Sequence, residues 1–121
     1  MTTDNVVFSH LHNRRFIALA NDHGVSGAGT VFHYHVEGLV ITGTYRGGAI
    51  ATGTLVGKVT GANTLKLLYQ CITHEGELLA GWSEGVVQAV AGGLTRLDFT
   101  WGWLSGAEGG GESSYIEMPA Q

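Results

Sequence analysis

Between Val31 and Gly57 the chain reads VFHYHVEGLVITGTYRGGAIATGTLVG, three runs of β-branched and aromatic residues separated by Glu37-Gly38 and Arg46-Gly47. Such short glycine-containing breaks leave room only for tight turns, so the stretch is predicted to form three consecutive antiparallel strands. A turn at Glu37-Gly38 sets Val36 opposite Leu39, Tyr34 opposite Ile41 and Phe32 opposite Gly43. A turn at Arg46-Gly47 sets Gly43 opposite Ile50 and Ile41 opposite Thr52. Directly paired residues share a face. One face then collects Phe32, Tyr34, Val36, Leu39, Ile41, Tyr45, Ile50, Thr52, Thr54 and Val56. The other collects His33, His35, Val40, Thr42, Thr44, Ala51, Gly53 and Leu55. The first face is the more aromatic and is assigned to the interior.

The remaining chain repeats this pattern. Residues 1–13 are expected to be an N-terminal flap or edge strand, and Phe16 to Ala20 a short strand. Asn21-Asp22-His23-Gly24 supplies turn chemistry, and the loop to Gly29 is expected to be mobile. Thr64 to Thr73 alternates with a period of two. Leu78 to Glu84 continues as strand, with a bulge expected at Gly85 before Val86 to Val90. Leu94 to Trp103 and Glu112 to Met118 complete the set, with a glycine-rich loop from Ser105 to Gly111 between them. No segment shows helical periodicity. Eight strands with short connections predict an all-β chain, one domain over 1–121, folded as an eight-stranded antiparallel up-and-down β-barrel of calycin or lipocalin type. An open sandwich is the competing architecture, but closure removes exposed edges. Eight strands leave room for packed side chains or one small ligand.

Charge narrows the partners. Six Lys+Arg against ten Asp+Glu give a net charge of -4, which argues against nucleic acid or an anionic membrane. Cys71 is the one cysteine, so no internal disulfide forms and a reducing cytoplasm is the simplest compartment. The opening MTTDNVVFSH lacks the pattern of a signal peptide, and no apolar run has membrane-spanning length.

Phe32-His33-Tyr34-His35, Gly43-Thr44-Tyr45, Gly47-Gly48, Gly53-Thr54-Leu55-Val56-Gly57, Gly76-Glu77-Leu78, Trp101-Gly102-Trp103 and Gly111-Glu112-Ser113 together resemble a family of small bacterial proteins often labelled N-acetylglutamate synthase-like. The likeness spans roughly Phe16 to Glu117 and implies a calycin-like barrel. The label implies acetyl transfer, yet the pyrophosphate-binding loop and helix which that chemistry uses are not readable here. Relatives tend to carry Glu at the position of Phe99 and a basic residue at that of Ala51. The resemblance therefore implies Glu117 as the principal acid of that wall.

All four tyrosines, with Phe32, Phe99, Trp101 and Trp103, fall on the inner face. An aromatic-lined pocket with a few polar groups is the form small-molecule sites take; the plain alternative is a filled aromatic core. Glu117, inward by the Ser113-Tyr115-Glu117 alternation, is the candidate acid or base, with Tyr34 and Tyr69 as hydrogen-bonding catalytic partners. Tyr45, Tyr115, Trp101, Trp103, Phe32, Phe99, Thr52 and Cys71 are the expected ligand contacts. Cys71 has no identifiable partner base and reads as a small buried hydrophobe.

The pairs His10/His12 and His33/His35 have the spacing of ligands, but the facing argument sends His33 and His35 outward. No metal site and no cofactor are expected. Ile17, Leu19, Val40, Leu55, Leu68, Ile72, Leu78 and Trp82 fall on the outer face, and so much aliphatic surface predicts a homodimer. The function expected is binding of an apolar small molecule and its conversion by a cofactor-independent isomerase or cyclase. The alternatives are a binding or carrier protein without turnover, and a purely structural dimerisation module with a filled interior.

Overall fold

A computed structural model describes residues 6–21 and 29–119 of the chain. A short helix, α1 (Val6–Leu11), precedes eight strands: β1 (Arg14–Asn21), β2 (Val31–Glu37), β3 (Val40–Gly47), β4 (Ile50–Val59), β5 (Thr64–Thr73), β6 (Leu78–Ala89), β7 (Thr95–Ser105) and β8 (Gly110–Glu117). Each strand pairs antiparallel with the next, and β8 pairs back with β1 to close the barrel. The expected turn at Asn21–Gly24 and the loop leading to Gly29 lie largely outside the described residues. Among the described residues no helix is long and apolar enough to cross a membrane.

Residues 6–11 correct the expectation of a flap or edge strand. Val7 and Leu11, four apart, share one helix face and are fully buried, while Phe8 and His12 stack at 5.0 Å. The helix lies against β2 and β6. Six residues are too few to display a helical period in sequence; this segment is helical because its two apolar side chains pack on one end of the barrel.

Both hairpins of the central stretch turn later than expected. The first turn is Gly38-Leu39, with Glu37 opposite Val40, and the second is Gly48-Ala49, with Gly47 opposite Ile50. Gly38 and Gly48 have φ of 61° and 59°. Glycine at the first central position is the demand of a II′ turn, whereas Glu37 or Arg46 there would be strained. Leu39 therefore lies in the turn and is exposed, not inward. Register shifts between Tyr45 and Gly47 and between Ile50 and Thr52 then place Tyr45 opposite Gly53 and Gly43 opposite Leu55. An odd slip reverses which face a strand presents. Thr52, Thr54 and Val56 accordingly point outward and Leu55 inward, the reverse of the sequence reading. The bulge expected at Gly85 is absent; the shift in β6 lies between Ala80 and Gly81.

The core fills the end of the barrel next to α1. Val7, Leu11, Phe16, Val36, Ile41, Leu65, Val87 and Leu97 meet there with almost no exposure. A polar clasp holds this end. Both oxygens of Glu117 accept from Arg14 Nη1, at 3.2 and 3.0 Å, and Oε1 also accepts the Thr95 backbone N–H at 2.9 Å. Arg14 Nη2 donates to the Ser9 carbonyl at 3.1 Å, so β1, β7, β8 and the helix are tied together. Thr95 is fully buried. Removing the carboxylate leaves its N–H without an acceptor, which costs about 1–3 kcal/mol. Glu117→Ala is expected to lower the unfolding free energy by about that amount, measured by urea denaturation; an unchanged midpoint would refute the clasp.

Candidate functional site

Beyond the packed end, aromatic rings dominate the inner face of the barrel, with Leu55 and Leu67 among them. Phe32 stacks on Tyr45 at 4.8 Å and meets Tyr115 edge-on at 5.1 Å; Tyr115 in turn meets Phe99 at 5.7 Å. Tyr69 stands edge-on to Tyr45 at 6.5 Å, and Trp101 to Trp103 at 5.2 Å. Glycine makes space for these rings. A Cβ on Gly53 would meet the Tyr45 ring, one on Gly81 the Tyr69 ring, and one on Gly85 the Phe99 ring. These are the cross-strand partners of the three aromatics.

The rings enclose a cavity lined by Phe32, Tyr34, Tyr45, Leu55, Leu67, Tyr69, Cys71, Ser83, Phe99, Trp101, Trp103, Ser113 and Tyr115. Water molecules can place their centres in about 50 Å³ of it, and the whole funnel, mouth included, has about 550 Å³ free of protein atoms. The inner space holds a few waters; a larger guest needs the mouth as well. Tyr69 and Trp103 are the lining aromatics that stay partly exposed.

Every polar group on this lining is neutral. Burial raises the hydroxyl pKa of Tyr34, Tyr45 and Tyr69 well above the ordinary phenol value. Burial likewise raises the Cys71 thiol, against a hydrogen bond from Tyr45 that pulls it down. Tyr69 Oη donates to the Trp82 carbonyl at 3.3 Å. Trp101 Nε1 is the one buried side-chain donor or acceptor, among the described residues, that has no hydrogen-bond partner. Such an orphan in an otherwise paired interior calls for an explanation.

Most sequence-predicted contacts come together here: Phe32, Tyr34, Tyr45, Tyr69, Cys71, Phe99, Trp101, Trp103 and Tyr115 line one space. Thr52 does not, because the register of β4 turns it outward. Glu117 does not line the cavity either; its carboxylate is committed to Arg14 and the Thr95 N–H. The described lining holds no carboxylate, imidazole or ammonium; its titratable groups are the tyrosine hydroxyls and the Cys71 thiol. Leu55, Leu67, Ser83 and Ser113 complete the wall. The alternation of β8 already placed Ser113 inward, whereas Ser83 sits in a glycine-flanked strand with little patterning of its own.

The family model described as Avidin-like protein matches residues 9–118. The chain is similar in fold to two solved structures. Apo shwanavidin is 10% identical, with a TM-score of 0.64, covering 88% of this chain and 95% of that one. The rhizavidin–biotin complex is 16% identical, with a TM-score of 0.61, covering 90% of this chain and 93% of that one. No curated protein matches. The expectation of a calycin-like barrel agrees with these findings; the N-acetylglutamate synthase-like label does not.

The phenols make the site's burial measurable. Tyr34, Tyr45 and Tyr69 hold their protons more tightly in the folded state than in the unfolded one, so their contribution to stability is complete below about pH 10. It is lost as pH rises through and beyond that value. A spectrophotometric titration is expected to show these three phenols silent at about pH 11 while the protein is folded, and all four tyrosines titrating after unfolding. Ordinary titration of two or more in the folded protein would contradict the enclosed site.

Proposed function

The chain belongs to the avidin-like protein family, and we propose that its barrel binds a biotin-like small molecule without converting it. The observation that carries this reading is the aromatic-walled cavity, on whose lining Trp101 keeps an unpartnered indole N–H. Biotin pairs a compact head bearing a carbonyl with a flexible apolar tail. Ser83, Ser113, Tyr34 and Tyr115 offer the head further neutral donors, and Phe32, Phe99 and Trp103 cover the apolar part. The tail leaves through the mouth past Tyr69 and Trp103. The carrier reading takes precedence over the enzyme reading because the lining supplies donors and shape but no carboxylate, imidazole or ammonium.

Biotin added to the full chain is expected to shift tryptophan fluorescence and release heat in calorimetry. Trp101→Phe keeps the ring area and removes the N–H, and is expected to weaken binding about tenfold, the equivalent of one lost hydrogen bond. Absence of any fluorescence or calorimetric response to biotin would overturn the proposal.

We propose further that copies pair through the outer wall, in a reducing cytoplasm suited to the unpaired Cys71. Val56 and Leu68 face each other across β4 and β5, with Trp82 next to Leu68 on β6, and the first two are about half exposed. Light scattering is expected to give twice the chain mass, falling to a monomer in Leu68→Lys; a monomeric parent would dismiss the pairing.

A further inference from the structure

We propose that His33 and His35, on the outer wall of β2, bind one divalent transition-metal ion between them, His33 ligating through Nδ1. The two residues are two apart on one strand and so share a face. Their ring centroids lie 4.5 Å apart with the planes tilted by 48°. A metal about 2.0–2.1 Å from one nitrogen of each ring, with a bond angle near 90–110°, sets imidazole centroids about 4.5–5 Å apart. The pair is already spaced to chelate.

Asn13 decides which nitrogen of His33 is free. Its Oδ1 lies 2.9 Å from His33 Nε2. An amide oxygen only accepts, so Nε2 carries the proton and Nδ1 keeps its lone pair. A carbonyl oxygen on the distal N–H is the outer partner that orients metal-binding histidines. Asn13 is itself fixed: its N–H donates to the Tyr34 carbonyl at 2.8 Å, and it holds φ of 57°, a left-handed conformation that asparagine tolerates.

The surroundings set the stoichiometry and the kind of metal. His12 is edge-on to His35 at 5.9 Å, but its Nδ1 accepts the Val36 N–H at 2.9 Å, so its Nε2 is protonated and unavailable. Among the described residues no group of three His, Cys, Asp or Glu is placed to hold a metal. The protein thus supplies two nitrogens, and water or an outside molecule fills the remaining positions. Thr42 and Thr44 on β3 and Arg15 on β1 are the strand neighbours; they bring no negative charge, which disfavours calcium and magnesium. Two imidazoles suit copper, nickel and zinc, with copper held most tightly. This inference does not depend on the ligand proposed for the barrel interior.

The test uses the full chain without a histidine tag, titrated with copper, nickel or zinc chloride alone by calorimetry. One ion per chain is expected, with affinity highest for copper. His33→Ala and His35→Ala are each expected to abolish binding at concentrations that saturate the parent. His74→Ala, on the exposed β5–β6 turn, should leave it unchanged. Asn13→Ala is expected to weaken binding about tenfold through loss of positioning. Nitrogen-15 spectra of the metal-free parent should show His33 protonated on Nε2, and the Nδ1 signal should move on adding zinc. Binding retained in both His33→Ala and His35→Ala, or a His33 protonated on Nδ1 in the free protein, would overturn the assignment.

Discussion

An aromatic ring laid over a glycine of the neighbouring strand recurs around this barrel, and the shape of the interior depends on it. Tyr45 covers Gly53, Tyr69 covers Gly81 and Phe99 covers Gly85 on the inside, while Trp82 covers Gly102 on the outside. In each pair a Cβ would collide with the ring. The glycine lets the ring lie flat along the wall instead of standing across the lumen. Eight strands enclose only enough width for packed side chains or one small guest. With the rings folded against the wall, a vacancy survives; with them upright, the barrel would be solid. The high glycine content is therefore a packing requirement as much as a turn requirement.

The two ends of the barrel divide the remaining work. At the helix end, aliphatic side chains interlock and the Arg14–Glu117–Thr95 clasp ties four elements together. Among the described residues, the buried side-chain polar atoms of that end all have hydrogen-bond partners. At the other end the side chains are mainly aromatic, the polar groups are neutral, and one indole N–H is left over. The packed core and the cavity lining are thus drawn from different residues of the same strands: on β7, Leu97 belongs to the packed end and Trp101 to the cavity.

Much of this was legible in sequence wherever alternation ran unbroken. On β2, Phe32, Tyr34 and Val36 alternate with His33 and His35, and the inward and outward sets follow directly. The same holds for Leu97, Phe99 and Trp101 on β7 and for Tyr115 on β8. The reading failed where one residue changed the register. Gly38 and Gly48 each sit first in their turns, so the hairpins close later than the Glu37-Gly38 and Arg46-Gly47 dipeptides suggest. Together with the shifts in β3 and β4, this reversed the faces of β4 and exchanged Thr52 for Leu55 in the wall. Glu117 was misread for a different reason. Alternation says which side of a strand a residue faces, not how far along the barrel it lies or what partner waits there. Helix α1 leaves no helical period in the sequence because it is short and is held by tertiary contacts, the packing of Val7 and Leu11 and the Arg14 bond to the Ser9 carbonyl.

The chemistry of the lining also constrains what the proposed ligand can be. The polar groups of the cavity carry no formal charge near neutral pH: tyrosine and serine hydroxyls, which both donate and accept, the Cys71 thiol and the indole N–H groups. A buried anion would need a cationic partner to offset its desolvation, and the described lining has none. A neutral carbonyl meets these donors without that penalty. Any charged group of the guest must therefore stay at the mouth, in water, where Tyr69 and Trp103 are partly exposed.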